Sequence, residues 1–184
     1  MPLRLFAAVP LPQEIRARLA TLQHDVPGAR WRPQENMHLT LRFFGEIDEP
    51  LARELDYELG DIVAAPFELS LKGIGSFGRS EPSVLWAGVE APEALKRLAA
   101  ACERAARAAG LQPEARIFRP HVTLAHGRAM TDVDAAAYCE RNGGFRTEPF
   151  WADHFALYSS WVSKGSRRYV EEAVYPLEGA PRIA

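Results

Sequence analysis

A chain of 184 residues, 47% hydrophobic and 25% charged, is long enough to bury a core without disulfides and suits one domain or two small lobes. Its net charge of −2 excludes a global basic field for non-specific nucleic-acid binding, so any nucleic-acid partner has to be held by a local patch. No apolar run reaches membrane-spanning length, and prolines interrupt the apolar opening "MPLRLFAAVPLPQEIR" with no signal-peptide layout behind it, so a soluble cytoplasmic protein is expected.

In chain order, the apolar run Leu3 to Val9 predicts a buried strand, and Pro12 opens a helix striped by Ile15, Leu19 and Leu22. Met37 to Phe44 is the next strand, closed by Gly45. Pro50 to Val63 is helical, with Leu51, Leu55, Leu59 and Ile62 at three- and four-residue steps. Phe67 to Ile74 alternates apolar and polar residues as a half-buried strand does. "GSFGRSEPS" then reads as a loop, and Val84 to Val89 as another strand. Pro92 to Gly110 is an alanine-rich helix between a proline and a glycine. Pro120 to Ala125 is a strand, and Asp132 to Arg141 a helix with Thr131 as its N-cap. Phe150 to Val162 and Arg168 to Tyr175 form a hairpin turned at residues 163–166. This order predicts an α+β protein with largely antiparallel sheets and helices on their outer faces, and the loose likeness of its two halves suggests an internal duplication. Cys102 and Cys139 lie in helical segments and read as small reduced core residues, neither a bridge nor a metal site.

Two stretches repeat one pattern. "NMHLTLRFFGE" contains His38-Leu39-Thr40-Leu41, and "RPHVTLAHG" contains His121-Val122-Thr123-Leu124. In a strand, residues i and i+2 share a face, so each segment sets an imidazole beside a hydroxyl and anchors itself with two apolar residues. Two imidazoles facing one cleft can act as general acid and general base near neutral pH. Two hydroxyls beside them can hydrogen-bond the non-bridging oxygens of a phosphodiester. A structural role accounts for one such histidine but does not call for its duplicate. Zinc is a poor rival, because it wants three or four N, S or carboxylate ligands and neither stretch adds an acidic residue or cysteine on the face of its histidine.

The "HLTL" and "HVTL" pair resembles the two-histidine phosphoesterase superfamily. "LRLFAAVPLPQEIRARLATLQ", "ARWRPQENMHLTLRFFGEI" and "FRPHVTLAHG" narrow the likeness to the RNA 2′,3′-cyclic phosphodiesterase family, also called the 2′–5′ RNA ligase family. The resemblance runs through nearly the whole chain. It implies a single bilobal phosphoesterase domain over residues 1–184, with a pseudo-twofold axis, two mainly antiparallel sheets and a central cleft. It also implies metal-independent opening of a 2′,3′-cyclic phosphate, on an RNA end or a nucleotide, to a 2′-phosphate, without a cofactor and by a monomer. His38 would donate the proton to the departing oxygen, His121 would accept one from water, and Thr40 and Thr123 would grip the phosphate. Alternatives are 2′–5′ ligation of tRNA halves on the same site, or an RNA- or nucleotide-binding module without turnover.

One departure stands out: the family usually carries arginine where this chain has His126. Regular alternation sends His126 to the face opposite His121, so either the replacement is tolerated or another arginine supplies the cation. Arg42, two residues beyond Thr40 and expected on the cleft face, is the candidate. Phe6 is expected mainly as core. Trp31, Phe43, Phe44, Trp86, Trp151, Tyr158 and Trp161 include candidates for stacking on a base, with Tyr158 and Trp161 on opposite faces of their strand. Lys164, Arg167 and Arg168 gather at a hairpin tip as a solvated turn or a local RNA contact. His24 and His154 lack a threonine partner and read as structural or surface residues.

Overall fold

The computed structural model describes residues 2–78 and 83–179. The first half of the chain runs β1 (Leu3–Pro10), α1 (Gln13–Ala20), β2 (Ala29–Trp31), a 3₁₀ turn (Gln34–Asn36), β3 (His38–Ile47), α2 (Glu49–Gly60) and β4 (Phe67–Phe77). The second runs β5 (Val84–Glu90), α3 (Glu93–Ala108), β6 (His121–Gly127), α4 (Asp132–Arg141), β7 (Phe150–Ala152), β8 (His154–Ser163) and β9 (Ser166–Pro176).

The helices begin where local chemistry satisfies their first N–H groups. Asp48 accepts the Leu51 N–H at 3.0 Å to start α2, and Thr131 accepts the Asp134 N–H at 3.1 Å to start α4, as its sequence position predicts. Each helix then turns an apolar stripe inward: Ile15 and Leu19, Leu55 and Leu59, or Leu95, Leu98 and Cys102. These side chains and the sheet residues Leu5, Val9, Leu39, Leu41, Val122 and Leu124 form one continuous core. The opposite face of the sheet is a second layer, where Phe6, Ala8 and Ala156 are buried yet stand outside that core.

The strands follow one curled path, β7-β4-β5-β6-β3-β1-β8-β9, with every neighbouring pair antiparallel and β2 added beside β6. The path shows the internal duplication. With β2, β7 and β9 set aside, β1-α1-β3-α2-β4 and β5-α3-β6-α4-β8 are the same strand-helix-strand-helix-strand unit. Each unit gives its last strand to the other, β4 to β5 and β8 to β1, so the order reads alike from both ends about the β3–β6 contact. The expected two sheets are therefore joined, and the joint is a single register pair, Leu39↔Val122.

Several boundaries differ from the sequence reading. β2 and the 3₁₀ turn were not expected. β4 continues through Gly75-Ser76-Phe77, which the glycines had suggested was loop; the remainder of that loop, residues 79–82, lies outside the described residues. The single strand expected over 150–162 is broken at Asp153, because β7 pairs with β4 whereas β8 pairs with β1. The hairpin turn is a two-residue loop with Lys164 and Gly165 at φ 48° and 78°, the left-handed pair that lets strand pairing continue to Ser163↔Ser166. Cys102 is fully buried, Cys139 half-buried, and both are unpaired.

Candidate active site

Antiparallel pairing about Leu39↔Val122 sets His38 opposite Thr123 and Thr40 opposite His121. Leu39, Leu41, Val122 and Leu124 are buried on the helix side, and the two histidines and two threonines are half-buried on the other face. The four form a rectangle with imidazoles on one diagonal and hydroxyls on the other. A diagonal across two antiparallel strands is about 7–8 Å, room for one phosphorus between an entering and a leaving oxygen.

Both rings are fixed in the same way. The Nδ1–H of His38 donates to the Asn36 carbonyl at 2.8 Å, and that of His121 to the Arg119 carbonyl at 2.6 Å, each two residues upstream. A carbonyl only accepts, so Nδ1 carries the proton and Nε2 is the basic nitrogen of each neutral ring. Phe6 and Tyr169 pack on His38 with centroids 4.7 and 5.2 Å away, and Phe77 stands edge-on to His121 at 4.9 Å. Burial, followed by the nearby Arg32 guanidinium, pushes the His38 pKa down to about 3. The same two causes lower His121. At neutral pH both imidazoles are therefore held as neutral bases.

Arg42 does not belong to this rectangle. β3 carries a bulge: Ala8 pairs with Thr40 and Ala7 with Arg42, which leaves Leu41 as the extra residue. The alternation reverses there, Arg42 goes to the helix side, and Phe43, opposite Phe6, takes the cleft position. The Arg42 side chain is 9% exposed and donates three hydrogen bonds. Its Nε donates to Glu103 Oε2 at 2.5 Å, Nη2 to the Gln112 carbonyl at 2.9 Å and Nη1 to the Phe43 carbonyl. It clamps α3 and the segment after it, and the Glu103 carboxylate, with that of Glu114 3.6 Å from Nη1, matches its charge.

β6 carries the matching bulge. Trp86 pairs with Thr123 and Leu85 with Ala125, leaving Leu124 as the extra residue. Leu124 and Ala125 are both buried, and His126 returns to the cleft side, contrary to the expectation from regular alternation. His126 and Phe43 thus occupy equivalent places in the two lobes.

Arg32 was missed by the sequence reading. Arg30 pairs with His126 and Trp31 with Ala125, and the Arg32 N–H continues the ladder to the Leu124 carbonyl at 2.8 Å. Trp31 packs toward the core against Tyr138, at 5.7 Å, while Arg30 and Arg32 line the cleft. The alternation Arg-Trp-Arg was the available signal, but a three-residue strand gives it little length. Arg32 Nη1 donates to Tyr169 Oη at 2.8 Å and Nη2 to His126 Nε2 at 3.0 Å.

The rectangle lies between two cavities. One of about 780 Å³ is lined by Thr40, His121, Phe43, Phe77, Ile117 and Arg119 among others. The other, of about 580 Å³, has Phe6, Arg30, Arg32, Asn36, His126, Arg167 and Tyr169 in its wall and no carboxylate among the described lining residues. Arg167 is the hairpin-tip cation that reaches the cleft, with Arg30 Nη2 tying the Gly165 carbonyl at 2.8 Å beside it. Phe6 is buried as expected, but as cleft floor. Tyr158 lies on the cleft side, opposite Phe6, whereas the Trp161 Nε1–H donates to Ser159 Oγ at 2.7 Å on the other face. His24 and His154 bond their neighbours Asp25 and Asp153 outside the cleft. Among the described residues no three His, Cys, Asp or Glu side chains come together as a metal site.

A curled antiparallel sheet whose halves each present a His-x-Thr strand to one cleft is the architecture of the two-histidine phosphoesterases. The chain belongs to the 2′-5′ RNA ligase superfamily, whose family model matches residues 10–161. It is 38% identical over 112 residues to the RNA 2′,3′-cyclic phosphodiesterase of Aeropyrum pernix, covering 60% of this chain and 64% of that protein. It is 31% identical to the protein of that name from Geobacillus stearothermophilus, over 96% of this chain and 58% of that one. The chain thus spans less than two thirds of the length of either relative. The solved structure of Escherichia coli LigT complexed with 3′-AMP superposes with a TM-score of 0.78 at 28% identity, covering 96% of this chain and 99% of that one. No described helix is long and apolar enough to cross a membrane.

Proposed function

We propose that the protein hydrolyses a 2′,3′-cyclic phosphate, on an RNA end or a nucleoside, to a 2′-phosphate within a single bilobal domain. The observation that carries this reading is the rectangle of two imidazoles and two hydroxyls about the β3–β6 joint. Its relatives' names, RNA 2′,3′-cyclic phosphodiesterase, support the substrate class. His121 Nε2 takes a proton from water as the water oxygen bonds to phosphorus. The P–O3′ bond breaks and His38 Nε2–H gives its proton to the departing O3′. Thr40 and Thr123 donate to the non-bridging oxygens, whose charge builds as the fifth oxygen arrives.

His38 has to be protonated before it can give a proton, and its burial and the Arg32 charge resist that. The phosphodiester anion supplies the counter-charge, so substrate binding and protonation go together. With O3′ as the leaving group, the ribose lies on the His38 side, where the second cavity offers Arg30 and Arg167 to a polynucleotide backbone. Two unpaired cysteines fit a monomer working in the reducing cytoplasm.

The test is product analysis on an oligoribonucleotide ending in a 2′,3′-cyclic phosphate. The expected product is a 2′-monophosphate; a 3′-monophosphate reverses which oxygen leaves, and a joined product from cleaved ends shows ligation. A substrate with sulfur in place of O3′ separates the two histidines. A thiolate leaves without a proton, so His38→Ala regains turnover on it and His121→Ala does not; the opposite pattern exchanges their roles.

A further inference from the structure

We infer that Arg32 is the phosphate-gripping cation of this cleft and that His126 is the neutral residue that positions it. The inference rests on the proposed phosphodiesterase reading for the identity of the anion, but its geometry stands alone. An arginine in a half-buried site is ordinarily matched by a carboxylate, because an unmatched guanidinium loses hydration without compensation. Arg32 has no such partner among the described residues. Its Nη1 donates to the Tyr169 hydroxyl at 2.8 Å and its Nη2 to His126 Nε2 at 3.0 Å, both neutral acceptors. Its Nε–H is shielded from solvent with no acceptor among the described residues. A buried donor left unpaired, beside a full positive charge, marks a place for an anion that the polypeptide does not supply.

The position suits the phosphate. Arg32 follows β2 and hydrogen-bonds the Leu124 carbonyl, next to Thr123 in the rectangle. Its guanidinium lies 5.7 Å from the Tyr169 ring, and that ring packs edge-on against His38 at 5.2 Å. Its charge opposes protonation of both His38 and His121. Arg42, the other arginine considered, is held by Glu103 and two carbonyls.

His126 reaches this place only because of the Leu124 bulge. Nη2 of Arg32 can donate to Nε2 only while that nitrogen is unprotonated, so His126 serves as an acceptor that aims the guanidinium and leaves its charge unquenched. A carboxylate there would aim it as well but would neutralise it against the substrate. His126 is accordingly a positioning residue, and Arg32 is the residue that touches the phosphate.

The experiment is titration of inorganic phosphate into the intact protein, alongside turnover of a nucleoside 2′,3′-cyclic phosphate. Arg32→Ala is expected to weaken phosphate binding at least tenfold and to lower kcat at least a hundredfold, as loss of a charged donor to a reacting phosphate does. Added guanidinium, or the second change His126→Arg on that background, should restore part of both. His126→Gln, which keeps an acceptor, should hold phosphate affinity within about threefold, whereas His126→Phe should not. Arg32→Lys covers the case in which the alanine variant fails to fold, and should bind phosphate but turn over slowly. Unchanged phosphate affinity in Arg32→Ala or Arg32→Lys together with unchanged kcat, or wild-type protein that takes up no phosphate at millimolar concentration, would overturn the inference. Phosphate binding that depends on Arg32 in a protein without cyclic-phosphate turnover would keep it and reject the phosphodiesterase reading instead.

Discussion

At the scale of single residues, His38 carries an energetic cost that its chemistry requires. Its ring is packed by Phe6 and Tyr169 and faces the Arg32 charge, which together hold its pKa near 3 against about 6.5 in an unfolded chain. The sign of the pH effect follows. Below about 6.5 the unfolded chain takes up a proton that the folded protein refuses, so this contribution to stability is complete above 6.5 and drains away as the pH falls toward 3. His121 is displaced in the same direction by the same causes. The urea midpoint should therefore drop between pH 7 and pH 4, and His38→Gln should flatten that drop while leaving the midpoint at pH 7 nearly unchanged. An equally steep drop in the variant would mean that other groups set the acid sensitivity.

At the scale of elements, two one-residue bulges decide which side chains meet the substrate. The period-two alternation was legible up to Thr40 and Thr123, and up to there the structure keeps each histidine and threonine on one face. Beyond those residues it failed twice, at Arg42 and His126, because Leu41 and Leu124 each occupy an extra place in their strands. Leucine before arginine or alanine is ordinary strand text, so nothing local announces a bulge; only the register of the neighbouring strand shows it. Arg42 is consequently a structural clamp. Arg42→Ala leaves Glu103, 27% exposed, without its partner and frees the segment that carries the Arg119 carbonyl. It should cost about 2 kcal/mol in denaturant unfolding, less than a fully buried pair because Glu103 keeps some water. Substrate KM should change little under folding conditions, whereas a large rise in KM with unchanged stability would return Arg42 to the phosphate. Gly75 tests the opposite wall. A Cβ there would lie 2.2 Å from the Trp86 ring, and Trp86 sits opposite Thr123 and 6.5 Å from His121. Gly75→Ala should destabilise by about 1–3 kcal/mol, lower kcat/KM and alter tryptophan fluorescence. An unperturbed emission spectrum would show that the ring does not hold its place against Thr123.

At the scale of the whole molecule, the site exists because two like units exchange their last strands and meet at one pair of residues. The strand and helix order was readable from periodicity and turn residues, since each element has enough length to show its own pattern. The exchange was not, because β4 and β8 choose partners across the duplication, which no local pattern encodes. The single joint, Leu39↔Val122, sets residues 83 positions apart in equivalent registers, so the two histidines are symmetric in placement while Arg32 and Phe6 make their surroundings unequal. Groups that move protons to and from one phosphorus act as a unit, and their removal is not additive. The most direct measurement is turnover of a 2′,3′-cyclic phosphate by His38→Ala, His121→Ala and the double variant, each verified as folded. Each single change should cost about 10²–10⁴-fold in kcat, and the double variant should be scarcely slower than the worse single one. Full activity in either single variant, or losses that multiply in the double, would contradict a shared phosphorus between the two imidazoles.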